Sequence, residues 1–281
     1  MQLIDFDSLF QEKLGSYIQK HKGEFTEGEW EDKIVELYQQ FIEMPLESIQ
    51  NSPREYFLQK GTTELVALLK AYVTENIVVP DVLLDALAKT GYNLEIAALL
   101  VEENEVLQNY AIDLLQADKR IIQSYFYILK NRQYSVAVKA NIATQLEKVA
   151  TKLIQPLYKL LHTDGQEYAI ELLIKAGERT EKLYNTVVEG YRMGENKLLY
   201  LKFLGDLGDT RALEFLYNDI ANEEIGYILF KEMKYTIEKL GGSYDILRNF
   251  SLDEDYKRIQ LANKMEEELR KQKQTEGQNN G

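Results

Sequence analysis

The chain of 281 residues contains no cysteine, four prolines and a single tryptophan. Without cysteine it can form no disulfide, no thiolate metal site and no cysteine nucleophile. Few prolines, together with only 16 glycines, favour long helices over a turn-rich β fold. No apolar run reaches the roughly 18 residues of a membrane span. Residues 1–10 carry two aspartates and no basic cluster, unlike a secretory signal. We therefore expect a cytoplasmic protein without a membrane partner.

Residues that carry chemistry are also sparse. The two histidines, His21 and His162, are far apart in sequence, and we predict surface or helix-end positions for them rather than a role as catalytic bases. No histidine–glutamate pair has the spacing of metal ligands, and no glycine-rich phosphate loop follows a strand. The carboxylates at 102–105 and 266–268 are typical of solvated helix faces. We expect no catalytic residue, no metal and no cofactor.

The sequence does contain a recurring pattern of helix, turn and helix. Leu201, Leu204 and Leu207 share one helical face, and Gly208 can end that helix in the left-handed conformation. Asp209 or Thr210 can then cap the next helix. Similar helix ends recur roughly 30 residues apart, a period typical of an α-solenoid with two helices per unit. We place these ends at Gly91, Ala117, Ala150, Gly177, Gly208 and Gly241.

Apolar residues at helical spacing extend this pattern along most of the chain. They predict about six helical pairs over residues 61–250, each burying its apolar face on its neighbours. Residues 1–60 are out of step with the repeat and are predicted to form an N-terminal helical cap. Residues 251–270 are predicted to form a C-terminal helix and the polar residues 271–281 a disordered tail. The predicted fold class is an all-α, right-handed α-α superhelix.

The segment 205–213, with the sequence GDLGDTRAL, resembles a HEAT repeat, in particular the short HEAT-like repeats of phycobilisome lyases. In that family an aspartate and an arginine around the turn tie adjacent units together. The resemblance gives these structural roles to Asp209 and Arg211, after Gly208. We read the other units as lacking the pair, with Tyr92-Asn93-Leu94 and Gly242-Ser243-Tyr244 at the corresponding positions. The resemblance covers 61–250 by periodicity and one unit by motif.

Charge is distributed unevenly in this chain, whose formal net charge is −13. Residues 119–162, the basic block, contain eight lysines and arginines and only one acidic residue, Glu147, whereas the flanking segments are acidic. We predict that this block docks an acidic partner on the second-helix layer, which usually lines the concave side of a solenoid. The alternative is that the block balances acidic repeats on either side. The predicted partner-binding residues are Lys130, Arg132, Tyr134, Lys139, Lys148 and Lys152.

These observations favour a non-enzymatic scaffold that binds a protein or peptide on its concave face, with the basic band selecting acidic segments. The alternative is a helical-repeat enzyme or nucleic-acid-binding protein that uses the basic block, in the manner of a bilin lyase or a DNA glycosylase. Helical-repeat glycosylases combine a basic face with a catalytic aspartate, but Glu147 is the only acid in this block. A pI near 4.8 also disfavours binding to nucleic acid.

Overall fold

The computed structural model describes residues 3–194 and 196–279, of which 272–279 are described by their backbone alone. Over these residues it contains 16 α-helices and no strand. Its only β pairing in the described residues is an isolated bridge between Leu46 and Asn51. None of the described helices combines the length and the apolar character needed to cross a bilayer. The predicted all-α fold class is confirmed.

The helices are short and closely spaced along most of the chain. The first eight are α1 Phe6–Lys20, α2 Glu27–Glu43, α3 Pro53–Leu58, α4 Thr62–Thr74, α5 Asp81–Lys89, α6 Leu94–Ala98, α7 Glu105–Leu115 and α8 Ile122–Lys130. The other eight are α9 Val136–Glu147, α10 Ile154–Leu160, α11 Gln166–Lys175, α12 Glu181–Met193, α13 Lys197–Leu207, α14 Ala212–Ile220, α15 Tyr227–Lys239 and α16 Glu254–Asn279. Short 3₁₀ turns cover Leu99–Val101 and Ala150–Lys152.

Local sequence signals explain where several of these helices begin. The Thr26 side chain accepts from the Glu29 backbone N–H while the Glu29 carboxylate accepts from the Thr26 N–H, which forms a capping box at the start of α2. Thr26 and Glu29 have the three-residue spacing that is typical of such a box. A second box, formed by Ser52 and Glu55 with Pro53 as the first residue of α3, was not predicted.

The chain divides into two units, which are described separately. The first unit is Met1–Val149 with Thr163–Tyr168, and the second is Ala150–His162 with Ala169–Gly281. This division falls near residue 150, inside the predicted array of 61–250. It also divides the predicted basic block, because residues 150–162 belong to the second unit.

The first unit is built from helical hairpins whose alternate helices stack on one another. Within hairpins, α4 packs on α5, α6 on α7 and α8 on α9. Between hairpins, α3, α5, α7 and α9 pack in succession, and α4 packs on α6. Side chains 32 residues apart link successive hairpins, as in the bonds from Thr63 to Glu95 at 2.7 Å and from Lys70 to Glu102 at 2.5 Å.

The second unit shows the same arrangement. Helix α12 packs on α13, α14 on α15, and α13 on α15. The Thr236 hydroxyl donates to the Leu201 carbonyl at 3.3 Å, and Lys239 pairs with Asp206. Both contacts join α13 to α15, which are the second helices of two successive hairpins.

The last helix extends beyond its predicted end. Helix α16 continues to Asn279, so its backbone is helical through most of the segment for which a disordered tail was predicted. Ion pairs one turn apart, Glu266 with Arg270 and Glu267 with Lys271, support the helix at this point. The final two residues of the predicted tail, 280 and 281, lie outside the described residues.

Candidate functional site

The structure separates the six predicted partner-binding residues. Lys130 ends α8, Arg132 and Tyr134 lie in the connection to α9, and Lys139 and Lys148 lie on α9 and at its C-cap. Lys152 lies in the 3₁₀ turn of the second unit and is not grouped with the other five. Lys130, Arg132, Lys148 and Lys152 are exposed, whereas Tyr134 is half-buried.

Lys139 does not lie on the surface, contrary to its predicted role in docking. The residue is only 8% exposed, on the inner side of α9. Burial lowers the pKa of Lys139, while the nearby Asp164 carboxylate opposes this shift by favouring the charged ammonium. Buried positions recur along α9 every three to four residues, and Lys139 lies on the same buried face as Ile142 and Leu146.

Arg132 is committed to an ion pair within the first unit. Its Nε and Nη2 atoms donate to the two oxygens of Asp164 at 3.0 and 2.7 Å, which forms a bidentate pair between guanidinium and carboxylate. Arg132, and then Lys139, lower the pKa of Asp164. For Arg132 and Lys139 the structure therefore shows the charge-balancing arrangement that the sequence left open as an alternative.

The predicted second-helix layer carries a chain of amide side chains. Asn141 on α9 donates to Asn109 and to Asp113 on α7, both at 3.1 Å. Lys148 donates to Gln145 at 2.7 Å, one turn along α9. This polar network joins α9 to α7 and uses Lys148 as one of its donors.

A larger apolar surface lies on the first-helix layer instead, between α6 and α8. It is a groove of about 450 Å³, which we call the tyrosine groove. Leu94 and Val101 on its rim are both 74% exposed, far more than aliphatic side chains in a closed core. The residues that define the tyrosine groove are Tyr92, Leu94, Val101, Tyr127, Ile128 and Tyr134.

Cationic side chains flank the tyrosine groove at both ends of α8. Arg120 lies with its guanidinium carbon 4.1 Å from the centre of the Tyr92 ring. Lys130 shares a helical face with Tyr127, because the two are three residues apart on α8. Lys119 and Lys130 are exposed, and neither has an ion-pair partner within the described residues. The tyrosine groove is thus mainly apolar in its lining, with cations at the two ends of α8.

Tyr134 also borders a second, acidic depression. This depression has a volume of about 260 Å³, and its lining includes Glu102, Glu103 and Glu105. Val101 and Tyr134 therefore border both an apolar surface and an acidic one. An acidic partner in the tyrosine groove would have its charges near α8 rather than near these glutamates.

The predicted structural motif has a defined geometry in the second unit. Asp209 holds Arg211 through two hydrogen bonds, Nε to Oδ1 at 3.0 Å and Nη2 to Oδ2 at 2.6 Å. Arg211 then reaches Glu181 at 2.9 Å, and its guanidinium carbon lies 4.1 Å from the centre of the Tyr184 ring. Glu181 and Tyr184 belong to the preceding hairpin, and Gly208 takes a φ of +71° at the end of α13.

The first unit contains a second copy of this motif, which the sequence analysis missed. Asp118 holds Arg120 through Nε and Nη2 at 2.9 and 2.7 Å, and Arg120 covers Tyr92 as Arg211 covers Tyr184. The reading that only one unit carries an Asp-x-Arg pair was therefore wrong. The missed signal is the triplet of residues 118–120, which follows Ala117 instead of a glycine.

Within the described residues the structure groups no side chains for catalysis by histidine or metal. His21 Nδ1 donates to the Glu24 carboxylate at 2.7 Å and its ring stacks on Tyr17, and His162 is exposed. Among the residues described, no cluster of histidine, aspartate and glutamate has the geometry to hold a metal ion. What the fold and site define is a class, an all-α protein of stacked helical hairpins with an open apolar groove. Comparison with family models, with curated proteins and with solved structures found no match.

Proposed function

We propose that this chain is a non-enzymatic scaffold that binds a protein or peptide partner, and that the tyrosine groove is the docking surface. The observation that carries the proposal is the cluster of exposed apolar side chains on neighbouring helices, led by Leu94, Val101 and Tyr127. Tyrosine suits such a role because it offers a large contact area with few rotatable bonds. This places the proposed site on the first-helix layer, whereas the sequence pointed to the second.

The proposed partner segment carries apolar residues together with aspartate or glutamate. Lys119 and Lys130 support this preference, since both are exposed and have no ion-pair partner within the described part of the chain. Charges at the rim of a groove chiefly speed encounter and exclude partners of the wrong sign. The apolar floor supplies most of the affinity in this proposal.

We propose further that the hairpins are degenerate HEAT-like repeats of the right-handed α-solenoid type. Two observations support this: alternate helices stack inside each unit, and side chains about one repeat apart bond to each other. The two Asp-x-Arg turns support it as well, because each holds an arginine against a tyrosine of the preceding hairpin. A solenoid of this type offers an extended preformed surface for partners.

The docking proposal can be tested by panning a random peptide display library on the full chain. Counter-selection uses the variant Leu94→Asp/Val101→Asp, which places two carboxylates on the rim of the tyrosine groove. We expect the enriched peptides to combine apolar and acidic residues and to bind the wild type but not this variant. Replacement of Lys119 and Lys130 by glutamate should weaken the same peptides, and more so at low salt.

The matched control is Val136→Asp. Val136 is 76% exposed on α9 and lies outside the tyrosine groove, so its replacement adds charge to an equally open apolar site. Peptides that bind all three forms equally, or a library that yields no peptide dependent on Leu94 and Val101, would contradict the proposal.

A further inference from the structure

A second groove in the first unit differs from the tyrosine groove in both its position and its charge. It lies between α1, α2 and the segment before α5, has a volume of about 300 Å³, and is called here the acidic groove. The buried side chains of Phe10, Phe41 and Val82 form its floor. Val35 and Val78 line its rim and are 62% and 60% exposed. The groove is therefore deep enough to receive one apolar side chain and open enough to admit a chain.

Among the described residues, two carboxylates are the only charged groups that line the acidic groove. Asp7 on α1 and Asp81 at the start of α5 are both exposed, and neither has a cationic partner in the part of the chain that the structure describes. The hydroxyl of Tyr38 lies between α2 and α5 and donates to Asp81 at 3.5 Å. Burial, followed by the charges of Asp81, Asp85 and Asp7, raises the pKa of Tyr38 to about 12. The negative potential thus extends over the apolar floor.

The backbone beside the acidic groove is also unpaired. Residues 77–80, which connect α4 to α5, belong to no helix or strand, and no strand among the described residues pairs with them. In the described chain the N–H and C=O groups of Val78 and Val79 take part in no hydrogen bond, although Ile77 N–H donates to Tyr72. Pro80 is extended and favours an extended backbone at Val79 before it. Free donors and acceptors on this segment, next to an apolar groove, can bond to the main chain of a peptide in extended form.

From these three features we infer that the acidic groove binds an extended basic peptide segment of a partner protein, in which apolar side chains alternate with lysine or arginine. One apolar side chain occupies the groove between Phe10 and Val82. The neighbouring cation pairs with Asp7 or Asp81, and the main chain bonds to Val78 and Val79. This surface is separate from the tyrosine groove, so the inference does not depend on the proposed docking there.

The test uses a short fluorescein-labelled peptide of alternating leucine and lysine, with an alternating leucine–glutamate peptide of the same length as the control. Fluorescence polarisation with the full chain should show binding of the leucine–lysine peptide alone. The variant Asp7→Asn/Asp81→Asn should weaken this binding by about fivefold, the range expected for two exposed charge pairs. Val78→Asp should weaken it through its apolar contact, and a backbone N-methylated peptide should bind more weakly than the parent peptide.

The control variant Asp32→Asn/Glu47→Gln removes two exposed charges of the same unit that do not line the acidic groove, and it should bind as the wild type does. Chemical-shift mapping with ¹⁵N-labelled valine gives a second readout that requires no substitution. Val35, Val78, Val79 and Val82 should shift on titration, while Val136 and Val187 should not. Equal binding of both peptides, or shifts confined to valines elsewhere, would overturn the inference. Concentration-dependent self-association of the unliganded chain that Val78→Asp abolishes would assign the groove to a second copy and overturn it as well.

Discussion

An arginine placed two residues after an aspartate links neighbouring hairpins in both units. Arg120 and Arg211 are each held by an aspartate and each lie 4.1 Å above a tyrosine ring of the preceding hairpin. The planar guanidinium can do both at once, because its edge bonds to the carboxylate while its face lies on the ring. Lysine has no such face, so arginine and lysine are not equivalent at these two positions.

Lys139 leads to a prediction about the pH dependence of stability. Its pKa is lowered in the folded chain, chiefly by burial, so just below the ordinary lysine pKa of about 10.4 the unfolded chain binds a proton that the folded chain does not. The free energy of unfolding rises with pH wherever the unfolded chain binds more protons than the folded chain. Stability should therefore rise as the pH is raised from the lowered pKa of Lys139 in the folded chain to its ordinary value. We expect urea denaturation to show this rise for the wild type relative to Lys139→Met.

In the control Lys148→Met, which removes an exposed lysine from the end of the same helix, the pH dependence should follow the wild type. A wild-type stability that falls relative to Lys139→Met over this window would contradict the prediction, because it would require a raised pKa for Lys139 in the folded chain.

At the residue scale, some features could be predicted from the sequence and others could not. The turn at Gly208 is identifiable because glycine adopts positive φ without strain. The turn before Asp118 has no glycine, because Gln116 takes a φ of +49° there, and only the repeat spacing places a helix end at Ala117. Likewise, the burial of Lys139 and the pairing of Arg132 with Asp164 depend on contacts between segments that sequence spacing does not define.

At the scale of helices, close packing in the second unit depends on one glycine. Gly190 lies inside α12, where the ring of Tyr200 on α13 packs against its backbone. A β-carbon at this position would lie 2.1 Å from the ring, well inside van der Waals contact. Glycine is a poor helix former, and here the approach of the tyrosine ring accounts for its presence.

We therefore predict that Gly190→Ala destabilises the chain despite the better helix propensity of alanine. Overpacking of this kind typically costs about 1–3 kcal/mol, which exceeds the gain of about 1 kcal/mol from replacing glycine within a helix. Chemical denaturation followed by circular dichroism measures the change. The double variant Gly190→Ala/Tyr200→Leu should recover part of the loss, because the smaller side chain leaves room for the new methyl group.

Gly15→Ala is the matched control, because Gly15 also lies inside a helix but a β-carbon added there would meet no atom within 4 Å among the described residues. It should be neutral or stabilising by up to about 1 kcal/mol. If both alanine variants shift stability in the same direction, the contact with Tyr200 does not determine the role of Gly190.

Helices were the most predictable part of this molecule. Apolar spacing predicts two helices in each of six pairs, and all twelve helices are present, from α4 to α15. Spacing cannot distinguish an apolar side chain that faces a neighbour from one that faces water. Leu94 and Val101 both fit the apolar pattern of their helices, yet both lie on the rim of an open groove. The tyrosine groove and the acidic groove therefore became visible only in three dimensions.

At the scale of the whole molecule, the net charge of −13 already includes the eight cations of the basic block, so the rest of the chain is more acidic still. Arg120 is held by Asp118, Arg132 by Asp164, and Lys139 is buried. The positive potential available to a partner is therefore smaller than the count of eight basic residues implies. Such a surface offers few cations to a nucleic acid.

We accordingly predict that the full chain does not retard a fluorescent DNA duplex in a mobility assay, even at low salt. Binding to DNA gains its free energy from counterions released as several phosphates are neutralised at once. In the first unit only Lys119 and Lys130 flank the apolar surface as exposed lysines without ion-pair partners within the described chain, too few for that gain against a net charge of −13. Asp164→Asn removes one carboxylate that pairs with Arg132 and so increases the net positive charge around this guanidinium. This variant should not retard the duplex either. Retardation of the wild type that disappears steeply as salt is added, and that Lys119→Glu/Lys130→Glu abolishes, would show instead that the basic block acts on nucleic acid.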